Sequence, residues 1–497
     1  MTTDFYEQLT LWPIAQQEVT VRFDGGRVVT DAGLLSIRAL DKKLGVLAQV
    51  AARFPDPRSQ KFITYSSENL LVQRVYQILA GYPDGNDAQI LRHDPLFQTL
   101  ADVSPDADEP ELASGSTLNR FHQAYTRRQA ELPPEERPVL LEQQAARNDR
   151  LRLLNEYLVE LFIRTRRQRP TSVILDLDAT DDPTHGQQVL SLFHGYYDQY
   201  QYFPLLVFDG ATGFPLAAWL RPGTVHASCG AVEILQGIVR QLRQAWPEIT
   251  ILVRGDNGLA VPAVYEFCER EGLLYALGFA TNDVLKERTA LWLQDLQEFF
   301  HWYGKPGETL QRFEILEDYQ ADRWSRPRKI IAKVEVNHWG NNRRFVVTNL
   351  SGHPQGIYEG FYVQRGDVPE SPIGELKKGL QADRLSAHGF RANAMILLEH
   401  VLAYALVVLY RQAAATVAPE VAKAEVSTLR QKLWKVGALV KTSVRRIWFA
   451  LSETWPFARL WQRVHQAVMA YAEEVLSRSS WHQAAVVMPV ALLSPPM

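Results

Sequence analysis

Asp176 and Asp178 stand two residues apart near the end of the run Ser172–Asp178. If that run is a strand, both carboxylates share one face with Ile174, while Val173, Leu175 and Leu177 take the other. Asp256 lies in the tight Gly255-Asp-Asn-Gly258 turn directly after a second apolar run, Ile249–Arg254. Carboxylates beside hydrophobic strands are costly unless something compensates their charge, and bound divalent cations do so. Magnesium prefers hard oxygen ligands, one or two carboxylates together with substrate phosphate. Two such ions, about 3.5–4 Å apart, could stabilise the attacking and leaving oxygens of an in-line displacement at phosphorus. Aspartate is also a good turn former, so each residue alone is ambiguous. The pair, placed at the ends of successive buried strands, is what points to metal.

Other chemistries find less support. His185 and His194 have no companion cluster at zinc-ligand spacing. The Gly255–Gly258 turn lacks the lysine and the spacing of a phosphate loop, and no Gly-x-Ser-x-Gly elbow is present.

The elements that must position the aspartates follow from periodicity. Residues 1–165 read as a helical N-terminal region, with an amphipathic helix over Ser66–Ala80 closed by the turn Tyr82-Pro-Asp-Gly-Asn-Asp87. The strand Ser172–Asp178 comes next, then a hairpin of Tyr200–Phe208 and Pro215–Leu220 joined at Asp209–Gly213. A helix (Ala231–Trp246), a strand (Ile249–Arg254), a helix (Val261–Glu271) and a strand (Leu274–Gly278) complete the series. An antiparallel meander leading into parallel strands that alternate with helices is the ribonuclease-H-like arrangement. The expected fold is therefore α/β: a ribonuclease-H-like core (166–285), a β-rich insertion (286–355), the core's C-terminal helices (356–415), and a basic helical C-terminal region (416–497) ending in a disordered tail.

Composition bounds this reading without deciding it. The chain has 497 residues, 46% hydrophobic and 22% charged, as a folded protein should. Its net charge of −3 is not that of a simple nucleic-acid binder. Local basicity exists, however. Ser427–Ser452 carries Arg430, Lys432, Lys435, Lys441, Arg445 and Arg446 with no acid, and Arg323–Arg344 carries Arg326, Arg328 and Lys329 among others against a single acid, Glu335. The two cysteines, Cys229 and Cys268, form no disulfide framework, and Met-Thr-Thr-Asp-Phe-Tyr-Glu has no signal-peptide pattern, so a cytoplasmic protein is expected. The apolar stretch Val401–Leu409 is short of the ~20 residues of a bilayer span. It reads as a core helix, with no membrane partner.

The motifs resemble those of the insertion-sequence transposases grouped as Transposase DDE domain group 1, in the branch with a tyrosine–arginine–glutamate–lysine signature. The resemblance rests on Leu175-Asp-Leu-Asp-Ala-Thr-Asp-Asp-Pro-Thr-His-Gly-Gln-Gln188, Phe193-His-Gly-Tyr-Tyr-Asp198, Leu220-Arg-Pro-Gly223 and Arg254-Gly-Asp-Asn-Gly258. Phe23-Asp-Gly-Gly26, Ala80–Asp87, Leu91–Pro95, Arg344–Thr348 and Ala382-Asp-Arg-Leu-Ser386 extend it over nearly the whole chain. It implies a third carboxylate after the insertion. Tyr362-x-x-Arg365 fits the first half of the signature, and Glu370 with Lys377 fits the second. One extra residue separates Arg365 from Glu370, with Pro369 at the expected glutamate position, so Glu375 is the fallback ligand.

The implied catalytic and metal set is Asp178, Asp256 and Glu370 holding two Mg²⁺ (or Mn²⁺), with Asp176 a secondary metal candidate. Arg365 and Lys377 would contact phosphates near the scissile bond, and Tyr362 would hydrogen-bond one. Arg254, Arg328, Lys329, Lys435, Lys441, Arg445 and Arg446 are further DNA or phosphate contacts, and Trp324 or Trp339 could stack on a flipped base. The resemblance implies a cut-and-paste enzyme acting on double-stranded DNA, terminal inverted repeats and target alike. It would work as a homodimer in a synaptic complex, in a bacterial cytoplasm at the nucleoid. The alternatives are a catalytically impaired or domesticated DNA-binding descendant and a two-metal nuclease that does not transpose.

Overall fold

A computed structural model describes residues 8–482 apart from 54–55, 57, 59–60, 62, 107–110, 124–148 and 366–370. Pro133-Pro134, whose prolines lead one to expect a loop, and most of the expected disordered tail lie outside the described residues.

The alternating run at Ser172–Ala179 forms β1, the central strand of the molecule. The antiparallel strands β2 (Leu205–Asp209) and β3 (Pro215–Trp219) lie on one side of it. On the other side β4 (Thr250–Gly255) and β5 (Leu274–Phe279) run parallel to it. This is the meander followed by parallel strands that the sequence led us to expect. One detail differs. The single strand expected over Tyr200–Phe208 is broken at Pro204, which has no N–H to give to a ladder. Gln199–Tyr202 pairs instead with Leu192–His194 and Asp182–Pro183 in a separate small sheet.

The expected insertion is also not a module apart. After two helices, Asp283–Arg288 and Ala290–Tyr303, the strands β6 (Thr309–Tyr319), β7 (Arg328–Asn337) and β8 (Gly340–Thr348) form an antiparallel meander. β8 then pairs with β5, placing Phe345 opposite Phe279. The result is one eight-stranded sheet in the order β6-β7-β8-β5-β4-β1-β2-β3.

The helices of the two flanks share one hydrophobic core with the sheet. α1 (Leu35–Leu44), α2 (Ser67–Ala80) and α3 (Asp149–Thr165) come from the N-terminal flank. α4 (Ala231–Ala245) and α5 (Pro262–Arg270) link the parallel strands, while α6 (Phe390–Ala414) and α7 (Ala458–His482) follow the meander. Ser66 caps α2 by accepting from the Asn69 N–H, but residues 70–80 are all buried, so this helix is enclosed rather than amphipathic. α6 is longer than the apolar stretch that announced it. By length and composition it could cross a membrane, yet nearly all of its residues are buried, against α1, α2, α3, α7 and β3 among others. It carries a fully buried Glu399. Burial pushes this carboxyl up, but His122 (2.8 Å) and Arg74 (3.6 Å) hold it below its ordinary range. The C-terminal flank is not helical throughout. β9 (Ala438–Ser443) and β10 (Arg446–Leu451) form a hairpin anchored to Val28–Val29.

β3 is the outer strand beside the core, and its free edge is closed by a side chain. Asn155 of α3 accepts a hydrogen bond from the Ala218 N–H (2.6 Å) and donates one to the Ala218 carbonyl (3.2 Å), imitating a neighbouring strand. Asn155→Leu should therefore cost about 1–3 kcal/mol through the unpaired backbone groups. Urea unfolding with no loss of stability would show that β3 does not depend on this contact.

Candidate active site

Parallel pairing of β1 with β4 sets Leu177 opposite Gly255. Asp178 and Asp256 each follow these residues by one, so they emerge side by side at the C-terminal ends of adjacent parallel strands. Gly255 has no room for a side chain, since a Cβ there would meet Leu259 at 2.6 Å. Asp256 then caps a short turn by accepting from the Gly258 N–H at 3.0 Å.

The two carboxylates feel each other. Burial is the main cause that pushes Asp178 up to about 6, and Asp256 and Asp176 add to it, while Arg365 and Lys377 oppose it. Among the described residues no cationic side chain lies within ion-pair distance of either Asp178 or Asp256. Two crowded, uncompensated carboxylates on adjoining strands fit a divalent cation by the chemistry of the donor set.

Asp176, on the same face, is already compensated. Its two oxygens accept from Arg254 Nε (2.5 Å) and Nη2 (2.7 Å), a bidentate buried pair. Arg254 also donates to the Phe361 carbonyl at 2.7 Å. The residue beneath must be glycine, because a Cβ on Gly210 would meet Arg254 at 2.5 Å and Asp176 at 2.7 Å. The expectations of Asp176 as a secondary ligand and of Arg254 as a DNA contact are thus corrected: they satisfy each other inside the fold.

Phe361 belongs to a wide π-turn, Tyr358–Tyr362, which brings the first half of the signature to the aspartates. Tyr362 packs so closely on β5 that a Cβ on Gly278 would meet its hydroxyl at 2.5 Å and the Asp256 backbone at 3.3 Å. Arg365 lines a small cavity of about 30 Å³ with Asp176, Asp178, Gly210 and Ile373, and its Nη1 is buried without a hydrogen-bond partner in the described residues. Lys377 lies on a second π-turn, Glu375–Gly379, and pairs with Asp181 at 2.7 Å. Asp181 also accepts from Gln199 Nε2 at 3.1 Å. The sequence reading missed Asp181 as a partner, although it sits inside the Thr180-Asp-Asp-Pro motif.

A family model described as Transposase DDE domain group 1 matches residues 12–472. The chain belongs to this transposase family. No curated protein matches it. Among solved structures, it is similar to a piggyBac transposase synaptic complex with hairpin DNA, at 11% identity and a TM-score of 0.37, over 95% of this chain and 88% of that one.

The third carboxylate expected from the signature is not among the described residues brought together. Glu370 lies outside the described residues, and among the described residues no group of three His, Cys, Asp or Glu side chains could hold a metal. The fallback, Glu375, is buried and turned elsewhere. It accepts from Arg411 Nη2 (2.8 Å) and from the Val426 N–H (3.0 Å), which makes it a fastener between α6 and the segment after it.

The outer contacts divide in the same way. Arg328 is buried, paired with Glu269 at 2.7 and 2.9 Å and covered by the rings of Tyr265 and Trp324. Trp324 is itself packed among Tyr265, Phe279 and Tyr319. Neither faces solvent, which corrects both expectations. Lys329 is half-buried and donates to the Leu350 carbonyl. Trp339, by contrast, is 86% exposed at the β7–β8 turn, and Lys435, Lys441, Arg445 and Arg446 are exposed.

Two outcomes follow from this electrostatics. Asp178→Asn should raise the melting temperature of the metal-free transposase by relieving like-charge crowding, while removing the stabilisation that MgCl₂ gives the wild type. Arg254→Met should cost about 3–5 kcal/mol by leaving the Asp176 charge buried and unpaired. Thermal and urea unfolding check both, and a wild-type protein indifferent to MgCl₂ would speak against a metal at this site.

Proposed function

We propose that this family member is a cut-and-paste DNA transposase. It binds the terminal inverted repeats of its own element and transfers the freed ends to target DNA. The observation that carries the reading is the convergence of Asp178 and Asp256 at adjoining strand ends, near Arg365, whose buried Nη1 has no hydrogen-bond partner among the described residues.

Asp178 and Asp256, together with Glu370 from the signature, would hold two Mg²⁺ or Mn²⁺ ions. Bound there, the ions supply Lewis-acid stabilisation of the attacking and leaving oxygens. Arg365 offers a planar fork to a non-bridging phosphate oxygen and Tyr362 a hydroxyl donor. Lys377 offers a point charge, held in place by Asp181. Water attacks the phosphorus at the element's end, and the P–O3′ bond breaks to leave a 3′-hydroxyl. That hydroxyl attacks a target phosphodiester, joining element to target and releasing the target's own 3′ oxygen.

Exposed Lys435, Lys441, Arg445, Arg446 and Trp339 are the outer DNA contacts in this reading. A homodimer holding two ends, working in the cytoplasm of a bacterium, is the corresponding assembly.

The test is cleavage of a duplex carrying the element's end, with MgCl₂ or MnCl₂ against EDTA. Asp178→Asn, Asp256→Asn and Glu370→Gln should each fall to background while still binding the duplex. Glu375→Gln should act through lowered stability instead. Tight end-binding without cleavage in either metal would identify a domesticated DNA-binding descendant. Cleavage that needs no paired ends and yields no strand-transfer product would identify a nuclease.

A further inference from the structure

The hairpin β9–β10 is built unlike the rest of the surface. Its base is fixed to the body: Ala438 and Leu439 pair with Val29 and Val28, and the Val440 N–H donates to the Arg27 carbonyl at 2.8 Å. Beyond that anchor one face of the ribbon still packs on the body through Val440 and Phe449, while the other is exposed. From Ala438 to Leu451 it carries Lys441, Arg445 and Arg446 and no acidic residue, in a chain whose net charge is −3. Asp106, an acidic neighbour, is already engaged by the Thr442 side chain on the ribbon's inner face and by Arg27 at 2.6 Å.

The register sorts these side chains by face. Directly opposed residues share a side of a ribbon. Lys441 is opposite Trp448 and Ser443 is opposite Arg446, so Lys441, Trp448, Ser443 and Arg446 form one surface. Val440, Phe449, Thr442 and Ile447 form the other. The first surface is exposed throughout, with the Arg446 guanidinium 6.0 Å from the Trp448 ring centroid. At the turn, Val444 is fully exposed beside Arg445. Trp448 and Val444 thus place apolar area on the same exposed ribbon as the three cations.

We propose that this hairpin is a DNA-docking ribbon, with duplex DNA as its occupant. The inference rests on the transposase reading above and adds to it a specific element. A two-stranded ribbon fits the major groove of B-form DNA, about 12 Å wide. Lys441, Arg445 and Arg446 neutralise phosphates on the groove walls, while Trp448 and Val444 supply the apolar contact that phosphates cannot. The complementarity is local, because the chain as a whole is not basic. The anchor at Val28–Val29 keeps the ribbon rigid, so little ordering is lost on binding.

Fluorescence anisotropy of the full chain tests this, with a labelled mixed-sequence duplex and a duplex of the element's end, over a salt series. The triple variant Lys441→Ala/Arg445→Ala/Arg446→Ala should bind both duplexes at least about tenfold more weakly. Its slope of log K against log salt should flatten by about 2–3 units, close to one for each lost phosphate contact. Trp448→Ala should weaken binding of both duplexes while leaving the salt slope unchanged, since it removes an apolar contact and no charge. Should the triple variant fold poorly by circular dichroism, Arg445→Glu at the exposed turn replaces it, with the same direction expected. Unchanged affinity and salt slope in a folded variant overturn the ribbon and leave the transposase reading standing. A wild-type chain that binds neither duplex overturns that reading itself, and the ribbon with it.

Discussion

The buried pair between Asp176 and Arg254 is the constraint on which the site depends. It joins β1 to β4 across their parallel register and ties both to the turn carrying Tyr362 through the Phe361 carbonyl. As a source of net stability such a pair is weak, since desolvation offsets much of the attraction. Its value here is in alignment. A slip of β4 by one residue would turn its side chains to the opposite face of the sheet. Arg254 would leave Asp176, and Asp256 would no longer stand beside Asp178. Gly210 belongs to the same constraint, because only a missing Cβ leaves room for the paired groups.

The signature residues are delivered by a second device. Tyr358–Tyr362 and Glu375–Gly379 are both π-turns, wider than an α-helical turn and common at functional sites. Each swings its side chains away from where a regular helix would aim them. One turn presents Tyr362 to the Asp256 backbone. The other separates the work of two neighbours, sending Lys377 towards Asp181 and Glu375 towards Arg411.

Much of the core was legible because its patterns are local. Period-two alternation at Ser172–Ala179 and the Gly-Asp-Asn-Gly turn announce both aspartates and the strands that hold them. What escaped has its cause at a distance. Arg254 and Arg328 look in sequence like any solvated cation, and only their partners, Asp176 and Glu269, 78 and 59 positions away, reveal them as buried. Trp324 likewise gives no sign that three aromatic side chains from other elements enclose it. The hairpin at Ala438–Leu451 was read as helix because its turn, Ser443-Val-Arg-Arg446, has none of the glycine, asparagine or proline that usually marks a tight connection. The meander β6–β8 was recognised as strands, but nothing local says that β8 will add to β5.

That last addition has a mechanical meaning. β8 is nine residues long, so it spans about 30 Å at the usual rise per residue. Trp339 sits at its outer end, in the turn from β7, and the strand's other end is bonded into the ladder that runs through β5 to β4, the strand preceding Asp256. The path runs through paired strands alone. In the proposed function, the length of β8 therefore sets how far a contact at Trp339 lies from the aspartates.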